Sequence, residues 1–240
     1  MSQSVASESP ILTDVAEDIT FPPGDLWSDE PPLESDWHRK QMELLIGSLE
    51  SWWQERQDFY VTGNLTIYYS PDQSKSEDFR GPDFFVVLGA ERRERKSWVV
   101  WQENGTYPHV IVEILSDSTA AIDKGLKKQI YQDTFRTPDY FWFDPATLEL
   151  KGFHLVDGQY QELTATEQGW LWSQQLRLHL GVYEGRLRFF TPDGQLVLLG
   201  EEQERQRAEQ ERQRAEQSER ENARLREQLR ALGIEPKSEL

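Results

Sequence analysis

Glu113 stands inside an otherwise apolar run, Val110-Ile111-Val112-Glu113-Ile114-Leu115. Such a run reads as a strand, and alternation puts Glu113 on the same face as Ile111 and Leu115. An ionised carboxylate in that setting is costly unless it is paired, hydrogen-bonded or bound to a metal. A second carboxylate, Asp83, heads another apolar strand in Gly81-Pro82-Asp83-Phe84-Phe85-Val86-Val87. If the two strands are neighbours, Asp83 and Glu113 converge on one hard cation of the kind Mg²⁺ exemplifies.

The rest of the pattern surrounds these strands with a mixed α/β domain. Trp37, Met42, Leu45, Ile46, Leu49 and Trp52/Trp53 recur at helical spacing, so a helix is expected over 36–57 with Asp36 as its N-cap. Phe59-Tyr60-Val61 and Leu65-Thr66-Ile67-Tyr68-Tyr69 flank Thr62-Gly63-Asn64 and read as a hairpin. An edge-like strand is expected over 98–101, a helix over 118–134 and a strand over 140–143. Short alternating strands fill 148–199, with turns at Asp157-Gly158 and Pro192-Asp193-Gly194. The order of helix, antiparallel strands, helix and strands gives an α/β (α+β) class.

A third polar group belongs to the helix over 118–134. Ile122, Leu126 and Ile130 form its apolar stripe. Asp123, Lys127 and Tyr131 lie about 100° round, at the border of the buried face. Lys124 and Lys128 fall about 200° away, toward solvent. Helical phase therefore selects Lys127 as the lysine that leans back toward Glu113.

Four blocks in this order resemble a known family: Pro82-Asp83; Val112-Glu113-Ile114-Leu115-Ser116-x-Ser118-Thr119; Asp123-x-x-x-Lys127-Lys128-x-x-Tyr131; and Asp139-Tyr140-Phe141-Trp142-Phe143-Asp144-Pro145. Together they resemble the Uma-two family of restriction-endonuclease-like proteins with the PD-(D/E)xK nuclease fold, over residues 36–200. The resemblance implies a mixed sheet flanked by helices and a metal-dependent phosphodiesterase, with Asp83 and Glu113 as ligands of Mg²⁺ or Mn²⁺. It also implies the backbone carbonyl of Ile114 as a further ligand, and DNA as the substrate. Leu115 occupies the place of the usual lysine two residues after the glutamate. The resemblance implies that this lysine has migrated to the helix, which lands on Lys127. There it would orient or deprotonate the attacking water and stabilise charge on the phosphoryl group.

Other readings of these residues stand beside that one. The lesser reading of Glu113 is a structural carboxylate satisfied by backbone amides or by Lys127. Pro138-Asp139 followed by Glu149-Leu150-Lys151 also spells the nuclease motif, yet it reads as a plain hairpin turning at Asp144-Pro145. Arg92, Arg93, Arg95 and Lys96 either grip phosphates or form a solvated turn. Glu43 is a remote candidate for an extra carboxylate. His38, His109, His154 and His179 are scattered and read as ordinary surface or core residues.

The flanks differ from the centre. Residues 1–36 hold nine acidic side chains, five of the twelve prolines and no Lys or Arg, which disfavours collapse. Residues 1–35 are therefore expected as an acidic arm, 36–200 as the nuclease-like domain and 201–240 as a charged heptad helix. Residues 204–210 recur unchanged at 211–217. Ala208, Ala215, Asn222 and Leu229 occupy a positions, and only Leu225 and Leu232 give the d positions an apolar seam. The tail is thus a coiled-coil-like helix for homo-oligomers, or a single solvated helix.

Composition narrows the functions. The absence of cysteine excludes a disulfide scaffold, Cys-ligated zinc and a thiol nucleophile, and fits a reducing, cytoplasmic setting. No segment is apolar enough to span a membrane. A net charge of −17 argues against a general polycation role on DNA while allowing a local phosphate site. Two functions are expected to compete: a Mg²⁺- or Mn²⁺-dependent endonuclease acting through Asp83, Glu113 and Lys127, or a nuclease-like module that no longer cuts and assembles through its tail.

Overall fold

The computed structural model describes residues 35–69, 79–116 and 123–233. Most of the expected acidic arm, residues 118–122 of the helix expected over 118–134, and residues 234–240 lie outside the described residues. A helix α1 (Asp36–Trp52) opens the domain. Strands β1 (Phe59–Thr62), β2 (Ile67–Tyr68), β3 (Phe79–Arg80), β4 (Phe84–Leu88), β5 (Trp98–Val99) and β6 (Val110–Ile114) come next. A wide π-helical turn, Asp123–Lys127, runs into α2 (Lys128–Asp133). Then come β7 (Asp139–Asp144), β8 (Glu149–Val156), β9 (Gln159–Glu162), β10 (Leu171–Ser173), β11 (Leu178–Tyr183) and β12 (Arg186–Phe190), before the long helix α3 (Gly200–Ala231).

The central sheet has the order β1-β4-β6-β7-β8-β9. Only β6 and β7 pair in parallel within it; their connection passes through the π turn and α2, as a parallel pair requires. One face carries Phe84, Val86, Val110, Val112, Phe141 and Phe143 against α1 and the sheet β10-β11-β12. The opposite face carries Phe85, Val87, Ile111, Leu115, Tyr140 and Trp142 against Tyr131, Phe135 and the small sheet β3-β2-β5. This is a mixed sheet flanked by helices, the restriction-endonuclease-like architecture. Because β4, β6 and β7 are buried on both faces, their sequences read as apolar runs rather than alternations.

Several local expectations are corrected. Ser35, not Asp36, caps α1, its side chain accepting from the His38 N–H; Asp36 in the first turn pairs with Arg39 and Lys40 instead. The helix ends at Trp52, five residues short of the expected end. The hairpin across Gly63-Asn64 does not form, because β1 and β2 belong to different sheets. β1 takes β4 as its partner over four residue pairs, whereas β2 is only two residues long. The second helix also turns its stripe differently. Leu126 is 56% exposed, while Asp123 and Tyr131 are buried and Lys127 lies between. The wide turn over 123–127 sets the phase of α2, so the polar stripe rather than Leu126 faces the core.

The tail is a helix, as its heptads require, and none of its residues is buried. Its root is fastened by Arg188 to Glu202 at 2.6 Å and by Gln203 to Ser51 at 2.9 Å. Beyond the root it is supported by its own pairs, such as Arg212 with Glu209 at 3.0 Å. No helix among the described residues is long and apolar enough to cross a membrane.

Candidate functional site

Strand register brings the two carboxylates together. β4 and β6 run antiparallel with Phe84 opposite Val112, so one step outward Asp83 faces Glu113. Asp83 Oδ2 accepts from the Ile114 N–H at 2.7 Å, and the Asp83 N–H approaches Glu113 Oε2 at 3.5 Å. The Ile114 amide is therefore committed to Asp83, on the residue whose carbonyl the family resemblance nominates. The bend before β4 is held by the Thr62–Asn64 turn, where the Asn64 N–H donates to the Pro82 carbonyl at 3.0 Å. A Cβ on Gly63 would lie 2.2 Å from the Asp83 carbonyl oxygen, so only glycine admits this approach.

α1 delivers an unexpected partner from the other side of the sheet. His38 Nε2 lies 2.8 Å from Asp83 Oδ1. The cap on Ser35 fixes the backbone of His38, and its side chain is 9% exposed. On its own, a single histidine one step into an amphipathic helix gives no sign of this role, because its partner lies 45 residues downstream on a strand.

Glu113 is fully buried, as its apolar run demands, and both its oxygens are engaged. Oε1 accepts from the Tyr131 hydroxyl at 2.6 Å, and Oε2 lies 3.1 Å from Lys127 Nζ. Lys127 also lies 2.8 Å from Asp123 Oδ1, so one ammonium is shared by two carboxylates. Burial pushes the Glu113 carboxyl up to about 8, with Asp83 and Asp123 adding to the rise and Lys127 opposing it. For Lys127 burial works against the charge, but Glu113, Asp123 and Asp83 outweigh it and hold the ammonium above the ordinary lysine range. Burial likewise pushes the Tyr131 hydroxyl far up, so it remains a donor to Glu113. Asp83, Glu113 and Lys127, the three residues nominated from the sequence, thus belong to one network, together with His38, Asp123 and Tyr131.

The competing candidates fall elsewhere. Asp139 is a structural acceptor: it binds Ser173 Oγ at 2.6 Å and the Gln175 N–H at 3.0 Å, and it faces His154 Nδ1 at 2.7 Å. Glu149 is exposed at the end of the β7–β8 hairpin, and Lys151 pairs with Glu162. Arg92, Arg93 and Arg95 come after the far end of β4, about 17 Å from Asp83 at an ordinary strand rise. There Arg92 pairs with Glu50, while Arg93 and Arg95 both pair with Glu103. Glu43 is exposed and pairs with Arg39. His109 accepts from the Leu88 N–H, and His179 packs against Trp170 and Trp172.

The donor set has a definite chemistry. Two carboxylates supply hard oxygens, which suit Mg²⁺, a cation commonly held by one or two carboxylates with water and phosphate in its other positions. Among the described residues, no group of three or more His, Cys, Asp and Glu is placed to hold a metal ion by itself. Both Asp123 carboxyl oxygens are buried without a hydrogen-bond partner among the described residues, and Oδ1 has the ion-pair contact with Lys127. The residues therefore fit a two-carboxylate cation site rather than an all-protein cage.

No curated protein matches the chain. Among solved structures it is similar to the crystal structure of a putative nuclease belonging to DUF820 from Anabaena variabilis. That similarity is at 12% identity and a TM-score of 0.47, covering 63% of this chain and 80% of that one. The Uma2 family model, described as "Putative restriction endonuclease", matches residues 15–189, which include every residue of the network. The chain belongs to the Uma2 family.

Proposed function

We propose that this chain is a metal-dependent endonuclease that hydrolyses DNA phosphodiester bonds, with Mg²⁺ or Mn²⁺ held by Asp83 and Glu113. The observation that carries this reading is geometric: the carboxyl groups of Asp83 and Glu113 meet where β4 and β6 lie side by side, with Lys127 and Asp123 next to them among the described residues. A divalent cation that displaces the Glu113 proton offsets the negative charge this exposes, which a buried site would otherwise carry at high cost. The Ile114 carbonyl is the further donor suggested by family membership. Bound there, such a cation supplies Lewis-acid polarisation of a phosphoryl oxygen and a bound water of lowered pKa.

The chain's own residues take separate tasks. His38 and the Ile114 amide fix the Asp83 carboxylate, and the Tyr131 hydroxyl fixes Glu113. Lys127 acts as a charge. Its carboxylate neighbours keep it protonated, so it orients the attacking water and stabilises developing negative charge rather than accepting a proton. Calorimetric titration of Mn²⁺ into the wild type, Asp83→Asn and Glu113→Gln tests the assignment. A single site in the wild type should weaken more than tenfold in each variant; wild-type affinity in both would remove it.

One observation favours a second reading, a nuclease-like module that assembles without cutting. Past its root α3 projects with Leu225 and Leu232 exposed at 49% and 74%, the only apolar seam of the heptads. A chain that self-associates through α3 and takes up no Mn²⁺ would meet that description.

A further inference from the structure

Asp123 has no task among the roles assigned to its neighbours, yet it is among the most deeply placed charges in the protein, at 1% exposure. Its Oδ1 lies 2.8 Å from Lys127 Nζ, slightly nearer than Glu113 Oε2 at 3.1 Å. Neither oxygen has a hydrogen-bond partner among the described residues, so the ion-pair contact with Lys127 is the contact left to this buried carboxyl group. The backbone is pinned as well, since the Tyr140 hydroxyl donates to the Asp123 carbonyl at 2.8 Å. The π turn spans Asp123 to Lys127, placing carboxylate and ammonium at its two ends on the buried side. Such turns are rare and concentrate at functional sites.

Two carboxylates sharing one ammonium are not equivalent. Glu113 stands beside Asp83, where a cation would draw on both; Asp123 belongs to the helical layer and forms its ion pair with Lys127. The geometry points to Asp123 as a positioning residue, which retains the Lys127 ammonium so that Glu113 is free to turn its Oε2 to a divalent cation. This rests on the proposed metal site at Asp83 and Glu113. Without Asp123, Lys127 has Glu113 as its remaining ion-pair partner among the described residues, and an incoming cation must displace the ammonium.

A double-mutant cycle on the full chain separates this role from general electrostatics. Mn²⁺ affinity is measured calorimetrically for the wild type, Asp123→Asn, Lys127→Met and the double variant. Positioning predicts that Asp123→Asn weakens Mn²⁺ about tenfold in the wild-type background and less than twofold when Lys127 is already methionine. An equal loss in both backgrounds would overturn the proposal, because Asp123 would then act on the cation directly or through its charge alone. Unchanged affinity in Asp123→Asn would overturn it too; Asp123→Ser replaces the amide variant should that fail to fold. A wild-type chain that takes up no Mn²⁺ would sink the metal reading, and the pairing is then decided in the metal-free protein. Lys127 should be acetylated at least fivefold faster in Asp123→Asn than in the wild type, by peptide mass spectrometry normalised to exposed Lys40; equal rates would overturn the pairing.

Discussion

Replacing Asp139 with alanine separates a structural carboxylate from a chemical one. Asp139 is fully buried and receives Ser173 Oγ, the Gln175 N–H and the ring of His154, so it fastens β7 to the β10–β11 turn and to β8. Alanine removes the acceptor for all three. The His154 side chain is 19% exposed, and water substitutes for the carboxylate there. Ser173 Oγ keeps the Leu176 N–H at 3.1 Å but loses its own acceptor, and the Gln175 N–H is orphaned. At about 1.5–2.5 kcal/mol for each of these two losses, the variant should be about 3–5 kcal/mol less stable. With an m-value of about 2 kcal/mol/M, the urea midpoint should fall by about 1.5–2.5 M, monitored by tryptophan fluorescence. Mn²⁺ affinity below the transition should stay within twofold of wild type, because Asp139 makes none of the contacts of Asp83 or Glu113. A stability loss below about 1 kcal/mol accompanied by abolished Mn²⁺ binding would refute this reasoning and move the site to the motif at Asp139, Glu149 and Lys151.

The same contacts set three further expectations. Mn²⁺ affinity should climb up to tenfold per pH unit from about 6 to about 8, because burial keeps a proton on Glu113 that the metal must displace; a flat profile would contradict it. Gly63→Ala should cost about 1–3 kcal/mol in urea unfolding, since its Cβ meets Asp83 backbone and the Met42 side chain; an unaltered midpoint would show the bend to be compliant. Truncation after Gln203 should leave the thermal midpoint of the domain unchanged, as the α3 residues tied to Arg188 and Ser51 are retained. If the heptads drive assembly, the same truncation lowers the mass measured by light scattering; an unchanged mass would show that they do not.

The parts of the site legible in the sequence were those whose surroundings are local. Glu113 announces itself because a carboxylate between Val112 and Ile114 on a buried strand needs a partner. Lys127 is selected against an apolar stripe that the structure exposes at Leu126, so its place beside Glu113 depends on the wide turn. Asp83 stands out because it heads a second apolar run able to lie beside the Glu113 strand. His38 was illegible because its contact spans 45 residues and depends on how α1 crosses the sheet. Strand pairing failed for the same reason. The turn at Gly63-Asn64 is real, but β4 offers β1 a longer apolar partner than β2 does, and that choice is made by the whole sheet. Asp123 and Tyr131 were visible as a polar stripe, yet their burial depends on the wide turn that leaves Leu126 in solvent. Local periodicity carries no mark of that turn.

Plasmid nicking by the purified full chain tests the central claim most directly, run in Mg²⁺, in Mn²⁺ and in EDTA beside Glu113→Gln prepared identically. Nicking by the wild type in either metal, absent in EDTA and absent from Glu113→Gln, is the predicted result. Nicking that persists in Glu113→Gln or in EDTA would contradict a metal-dependent site at Asp83 and Glu113.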